Sequence, residues 1–164
     1  MEEIVKKILT TRTKSRLEEL KKVFPQRQSV VLPVLHAIYD QLGYLDKQAI
    51  AEAAEVVEVP KVYIEEAASF YTMFPLKPVG KYLIQVCQNI SCTLMGAEEL
   101  VAYIKEKLEI EVGGTTEDNM FSLVLVECLG ACGGAPMMQI NDKYYEFLTR
   151  EKVDKILDEL RNKA

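Results

Sequence analysis

The cysteines are the residues of this chain whose types and spacing best suit chemistry. The chain has only four, and they form two close pairs, Cys87 with Cys92 and Cys128 with Cys132. A two-iron cluster takes four thiolate ligands, two at each iron. Two cysteine pairs that converge on one point would supply this donor set, so the first hypothesis is an iron–sulfur site.

The same four cysteines leave other uses open. Structural zinc sites also take four thiolates, but they are usually built from C-x2-C turns, whereas the intervals here are C-x4-C and C-x3-C. Disulfide bonds are disfavoured in a reducing compartment, and a thioredoxin-type reactive pair would need C-x-x-C. A zinc-stapled scaffold is therefore the main alternative, followed by disulfides or free thiols.

The composition and charge of the chain indicate which broad class of protein it belongs to. The 164 residues are 49% hydrophobic and 27% charged, with a net charge of −5, which is typical of a folded protein and gives no sign of a nucleic-acid-binding surface. No apolar run reaches the roughly 18 residues of a membrane span, and the N-terminus has no signal-peptide pattern. The expected location is the cytoplasm.

The first half of the chain shows helical periodicity. Pro75, Pro78 and Gly80 then interrupt the pattern, which predicts a helical domain over residues 1–77 and a second domain over residues 78–164. Helices are predicted over residues 2–9 and 14–23, from a cap at Ser29 to Gly43, from a cap at Asp46 to Val57, and from Pro60 to about Tyr71.

The second half alternates strands and helices. Apolar, β-branched runs predict strands over 82–86 and 121–126, and a hairpin is predicted around Asn141 and Asp142. Helices are predicted over 96–108 and, after a cap at Thr149, over 150–161. The chain as a whole is therefore predicted to be α+β, with a helical N-terminal bundle followed by an α/β domain.

Each cysteine pair follows one of the predicted strands, where a rigid sheet can fix the position of an irregular loop. The second pair lies beside Gly130, Gly133 and Gly134. Glycines allow backbone N–H groups to approach the ligand sulfurs, and such hydrogen bonds offset the cost of burying a charged cluster.

Two motifs give the chain a family resemblance. V-C-Q-N-I-S-C-T-L-M-G (86–96) and E-C-L-G-A-C-G-G-A-P-M-M-Q-I-N (127–141) resemble the thioredoxin-like 2Fe–2S subunit of NADH dehydrogenase, the small peripheral-arm subunit of complex I. Close relatives serve in NAD-linked formate dehydrogenases and in hydrogenases, including electron-bifurcating ones. The segments 35–45 and 68–74 resemble the helical-domain signatures of this family, so that the resemblance covers nearly the whole chain.

The resemblance implies a thioredoxin-like second domain that holds one 2Fe–2S cluster. Carried over, Cys87 and Cys92 would ligate one iron, and Cys128 and Cys132 the other. The cluster would exchange single electrons with a flavin on a partner subunit, which would carry FMN and NAD(H). Further iron–sulfur subunits are expected in the complex, which would place the chain in the cytoplasm or at the periphery of the inner membrane.

The sequence lacks the common motifs for binding nucleotides and for hydrolysis, as expected for an electron-transfer subunit. It has no G-x-G-x-x-G after a strand, no phosphate-binding P-loop and no Ser/His/Asp set, so no complete active site is expected in this chain. An electron carrier needs none of these, because the cofactor performs the redox step. The aromatic segment 70–74 is expected either to contact a partner or to pack between the domains.

Overall fold

The computed structural model describes residues 7–163, and they form two compact units. The first unit ends at Pro78 and the second begins at Val79. The first is helical, and the second combines a four-stranded mixed sheet with helices, so the predicted α+β class is confirmed. Within the described residues, no helix has both the length and the apolar character needed to cross a bilayer.

The helical unit buries one apolar stripe from each of its helices in a common core. Leu17, Leu35, Ile50 and Ile64 are members of this core, one from each helix, and all are buried. The helices are α1 (Thr11–Val23), α2 (Val31–Leu42), α3 (Lys47–Val57) and α4 (Lys61–Phe70).

Several predicted helix ends are confirmed in the helical unit. The Asp46 carboxylate caps α3 by accepting hydrogen bonds from the N–H groups of Gln48 and Ala49, and Gly43 ends α2 in the left-handed conformation with φ +74°. The predicted cap at Ser29 is wrong, because a 3₁₀ turn over Arg27–Val30 leads directly into α2. The helix predicted over 2–9 lies mostly outside the described residues.

The aromatic segment at the end of α4 divides into buried and exposed parts. Phe74 is buried inside the helical unit, where its ring lies 4.9 Å from the His36 ring and 5.9 Å from the Tyr39 ring. Phe70, by contrast, is 77% exposed. Packing within the helical unit therefore accounts for Phe74 but not for Phe70.

The second unit is built on a sheet with the strand order β2-β1-β3-β4. β1 and β2 are parallel, while β3 is antiparallel to both β1 and β4. α6 and α7 contribute Ile104 and Leu157 to a core shared with Ile84 and Leu123 of the sheet. The elements are β1 (Tyr82–Cys87), α5 (Ile90–Leu94), α6 (Ala97–Leu108), β2 (Phe121–Val126), β3 (Met138–Ile140), β4 (Lys143–Tyr145) and α7 (Arg150–Arg161).

The Glu52 side chain connects α3 to α1 and to the segment before it through an ion pair and hydrogen bonds. Its carboxylate pairs with Lys14 at 2.8 Å and accepts hydrogen bonds from the backbone N–H groups of Ile8 and Leu9. Burial raises the pKa of the Glu52 carboxyl, but the ion pair and the two N–H groups lower it by more, so that the pKa lies below its ordinary value. The charged form of Glu52 therefore stabilises the folded helical unit.

We predict that Glu52→Gln lowers the free energy of unfolding near neutral pH by about 1 to 3 kcal/mol, because it removes charge-assisted hydrogen bonds. The native contribution is complete above the pKa of an unfolded glutamate, about 4.3, and is lost as the pH falls through the lower folded-state value. Denaturant unfolding as a function of pH should therefore show the variant and the wild type converging in acid.

Glu55→Gln is the matched control, because Glu55 lies on the same helix but is exposed. It should change the free energy of unfolding by no more than about 0.5 kcal/mol. A Glu52→Gln deficit that stayed constant from neutral pH into acid would contradict the assignment.

Candidate metal centre

The parallel pairing of β1 and β2 positions the two cysteine pairs. Cys87, the last residue of β1, lies directly opposite Val126, the last residue of β2. Cys128 follows two residues later, so both pairs emerge at the same edge of the sheet. Carboxyl ends of parallel strands are a common location for binding residues, because the sheet holds their loops in register.

Cys92 lies in a short helix that the sequence did not reveal. It is the third residue of α5, whereas the sequence predicted a loop there and a first helix beginning at Gly96. The Asn89 side chain caps α5, and the Thr93 hydroxyl donates to the Gln88 carbonyl oxygen at 3.1 Å. Asn89 was the available signal for α5, because asparagine is a preferred N-cap.

Cys87 and Cys92 form the buried half of the site. Both pack with Ala97, Ala135 and Met137 in a small apolar cluster. Burial raises the pKa of the Cys92 thiol, and its hydrogen bond with the Cys87 side chain raises it further. Charge on Cys87 and on Cys132 raises this pKa as well, so Cys132 of the second pair is close enough to Cys92 to influence its thiol.

Cys128 and Cys132 form the exposed half of the site, in the loop that follows β2. The N–H of Gly130 donates to the Cys128 sulfur, with a nitrogen–sulfur distance of 3.3 Å. Gly130 has φ +74°, a conformation that side-chain-bearing residues seldom adopt. Cys132 begins a 3₁₀ turn over Cys132–Gly134.

The three glycines of this loop have different roles. Gly130 is the one with a positive φ and an N–H···S contact. The N–H of Gly134 instead donates to the Ala131 carbonyl oxygen, and a Cβ atom there would collide with the Glu146 side chain. A Cβ atom on Gly133 would meet open space. Only Gly130 therefore acts as the sequence predicted for all three.

The donor set fits a two-iron cluster. The two cysteine pairs follow the ends of adjacent parallel strands at one edge of the sheet, and the N–H of Gly130 donates to the Cys128 sulfur. Among residues 7–163, no three His, Cys, Asp or Glu side chains are arranged in a group that could hold a metal ion. A two-iron cluster requires two thiolates at each iron, which corresponds to this pairwise grouping.

Comparison with known proteins gives a family and similar relatives. The model of a family described as thioredoxin-like [2Fe-2S] ferredoxin matches residues 17–161. An NADH-quinone oxidoreductase subunit of Rickettsia bellii is 46% identical over 151 residues, which are 90% of each chain. An NADH-quinone oxidoreductase subunit of Rhizobium meliloti is 38% identical over 138 residues, or 84% of this chain and 82% of that protein.

Solved structures with the same fold come from an NAD+-reducing [NiFe]-hydrogenase. Its H2-reduced state superimposes with a TM-score of 0.73 and 25% identity over 85% of this chain. Its air-oxidized state gives a TM-score of 0.71 at 24% identity, also over 85% of this chain. In both cases the match spans only 24% of the hydrogenase chain.

The family match covers both the helical unit and the sheet with its four thiols, and the curated relatives align over most of their own length. The resemblance noted from the cysteine motifs is thereby confirmed, as is the thioredoxin-like character of the second unit. The chain belongs to the thioredoxin-like [2Fe–2S] ferredoxin family.

Proposed function

We propose that this chain is an electron-transfer subunit that holds one 2Fe–2S cluster through Cys87, Cys92, Cys128 and Cys132. The observation that carries the proposal is that the two cysteine pairs follow the carboxyl ends of adjacent parallel strands, at one edge of the sheet. When bound, such a cluster takes up and releases one electron at a time. Cys87 and Cys92 would hold one iron, and Cys128 and Cys132 the other.

The protein around the thiols supplies position and electrostatics. The apolar packing around Cys87 and Cys92 keeps water from that side of the site. On the exposed side, the N–H of Gly130 is directed at the Cys128 sulfur and favours negative charge there. Burial, hydrogen bonds to sulfur and solvent access are the means by which a protein adjusts the potential of such a site.

We further propose that the partner is a subunit that carries FMN and binds NAD(H), within an NADH dehydrogenase-type complex that contains further iron–sulfur subunits. The curated relatives are named as subunits of NADH-quinone oxidoreductase, and this chain matches most of their length. The hydride chemistry would take place on the partner, so this chain would need no complete active site of its own.

Exposed apolar side chains on α5 and at its C-terminal end favour a site that faces a partner. Ile90, Leu94 and Met95 are 74%, 79% and 61% exposed, although Cys92 in the same segment is buried. Aromatic residues, methionine and other apolar side chains are typical of the centres of protein interfaces. This apolar surface beside a ligand residue is suited to bring the cluster close to a redox partner.

A second assignment has support from one observation. The match to the H2-reduced NAD+-reducing [NiFe]-hydrogenase favours an equivalent subunit of an NAD-linked hydrogenase, and the same subunit in a formate dehydrogenase is the related alternative. Co-purification of the tagged chain from its own cells, followed by identification of the attached subunits, separates these complexes. If a nickel-containing large subunit co-purifies, the chain is assigned to a hydrogenase and the NADH dehydrogenase assignment is refuted.

Spectroscopy of the anaerobically purified chain tests the cluster itself. We expect a brown-red protein with about two irons and two sulfides per chain, and an EPR signal from one cluster after dithionite reduction. A colourless protein that binds zinc even when iron and sulfide are supplied would refute electron transfer and support the zinc-stapled scaffold. Absorption, metal and sulfide assays on one sample decide between the two.

We predict that Cys92→Ser loses most of the iron, because a serine hydroxyl is a poor replacement for a thiolate in a buried apolar pocket. The same loss is expected for serine at the other three positions. Ser91→Ala is the matched control, since it changes the neighbouring residue of α5 without removing a thiol. Iron and sulfide contents equal to those of the wild type in Cys92→Ser would refute its role as a ligand.

We predict that Gly130→Ala weakens retention of the cluster, whereas Gly133→Ala does not. A left-handed residue with a Cβ atom costs about 1 to 2 kcal/mol, and Gly130 has a positive φ while Gly133 does not. The rate of iron transfer to an excess of chelator measures retention, and we expect a roughly 5- to 30-fold increase if this strain is relieved when the cluster leaves. Equal rates of iron transfer in the two variants would contradict the role assigned to the positive φ of Gly130.

A further inference from the structure

One side chain from outside the cysteine loop reaches the peptide beside Cys128. The Tyr144 hydroxyl, on the edge strand β4, donates to the Leu129 carbonyl oxygen at 2.8 Å. Among the described residues, no other side chain from a different element donates a hydrogen bond to residues 128–133. This contact therefore holds a stretch of loop that is otherwise largely exposed.

The same peptide group contacts the sulfur of Cys128 at its other end. A peptide unit is planar, and the C=O of Leu129 and the N–H of Gly130 belong to one unit. Its carbonyl oxygen accepts from Tyr144, and its N–H donates to the Cys128 sulfur at 3.3 Å. Because the plane is rigid, the hydrogen bond at the carbonyl end restrains the direction of the N–H.

Backbone hydrogen bonds also join the segment after β4 to the end of the cysteine loop. Beyond β4, the N–H of Phe147 donates to the Gly134 carbonyl oxygen at 2.7 Å, and the N–H of Leu148 donates to the Pro136 carbonyl oxygen at 2.9 Å. These backbone bonds hold the far end of the cysteine loop independently of the tyrosine hydroxyl. Removal of the hydroxyl should therefore free the Leu129–Gly130 peptide and leave the rest of the loop in place.

We propose that Tyr144 is a positioning residue that raises the reduction potential of the cluster by orienting the Leu129–Gly130 peptide toward the Cys128 sulfur. This inference rests on the proposed function, since it concerns the potential of the group that the four cysteines hold. Reduction adds one negative charge, and a hydrogen-bond donor aimed at a ligand sulfur stabilises the more negative state. The Tyr144 hydroxyl also polarises the peptide in the favourable direction.

Tyr144→Phe in the full-length, cluster-containing chain is the direct test. At a fixed solution potential, we expect the ratio of reduced to oxidised cluster to fall about threefold, which is about 30 mV at about 59 mV per tenfold for one electron. A redox titration followed by EPR gives this ratio. Tyr144 is 48% exposed, so loss of its hydroxyl should not lower the thermal unfolding midpoint appreciably.

Tyr145→Phe is the matched control. It removes the same atom from the next residue of β4, and within the described part of the chain the Tyr145 hydroxyl has no hydrogen-bond partner. Its potential should equal that of the wild type. A Tyr144→Phe potential that also equals the wild-type value would overturn the inference.

A second measurement covers the case in which Tyr144→Phe does not retain its cluster. In apoprotein labelled with ¹⁵N-glycine, the Gly130 amide resonance reports the direction and hydrogen bonding of this N–H. We expect it to shift, and its hydrogen exchange to accelerate, in Tyr144→Phe but not in Tyr145→Phe. An unchanged resonance in Tyr144→Phe would overturn the inference alone, whereas absence of a cluster from the wild type would refute the proposed function and, with it, any effect of Tyr144 on a potential.

Discussion

The parallel pairing of β1 with β2 is the constraint on which the rest of the site depends. Because Cys87 ends one strand opposite the last residue of the other, the two cysteine pairs emerge at the same edge although about forty residues separate them. Parallel strands require a long crossover connection, which α5 and α6 supply here. The crossover also carries Cys92, which packs in the same buried cluster as Cys87, so one connection serves both the fold and the candidate donor set.

The four cysteines follow the same edge of the sheet but lie in two different environments. Cys87 and Cys92 are packed among apolar side chains, whereas Cys128 and Cys132 lie in an exposed loop with its own hydrogen bonds. The buried half fixes geometry through the sheet and α5, and the exposed half leaves room for adjustment by single backbone groups. The proposed cluster would benefit from both, since a rigid donor set keeps structural change small while nearby dipoles set the energy of the added charge.

The sequence was informative at several positions where local chemistry decides structure. Asp46, Gly43 and Thr149 mark helix ends that the structure confirms, and the apolar run over 121–126 is a strand with those bounds. The predicted cap at Ser29 was wrong because a 3₁₀ turn leads into α2 there. The helix α5 was missed because it is too short to show a helical periodicity. The four candidate ligands could be named from spacing, but the Tyr144 contact depends on tertiary pairing that no local pattern contains.

The β3–β4 hairpin has a further consequence. Its register pairs Gln139 with Tyr144, and its two-residue turn is held against β1 because the Asn141 side chain accepts from the Leu83 N–H and donates to the Lys81 carbonyl oxygen. A slip of one residue would turn Tyr144 to the opposite face of the sheet. Asn141 thus helps to determine which side chain of β4 reaches the Leu129 carbonyl oxygen, so that the proposed effect on the potential depends on the register of the hairpin.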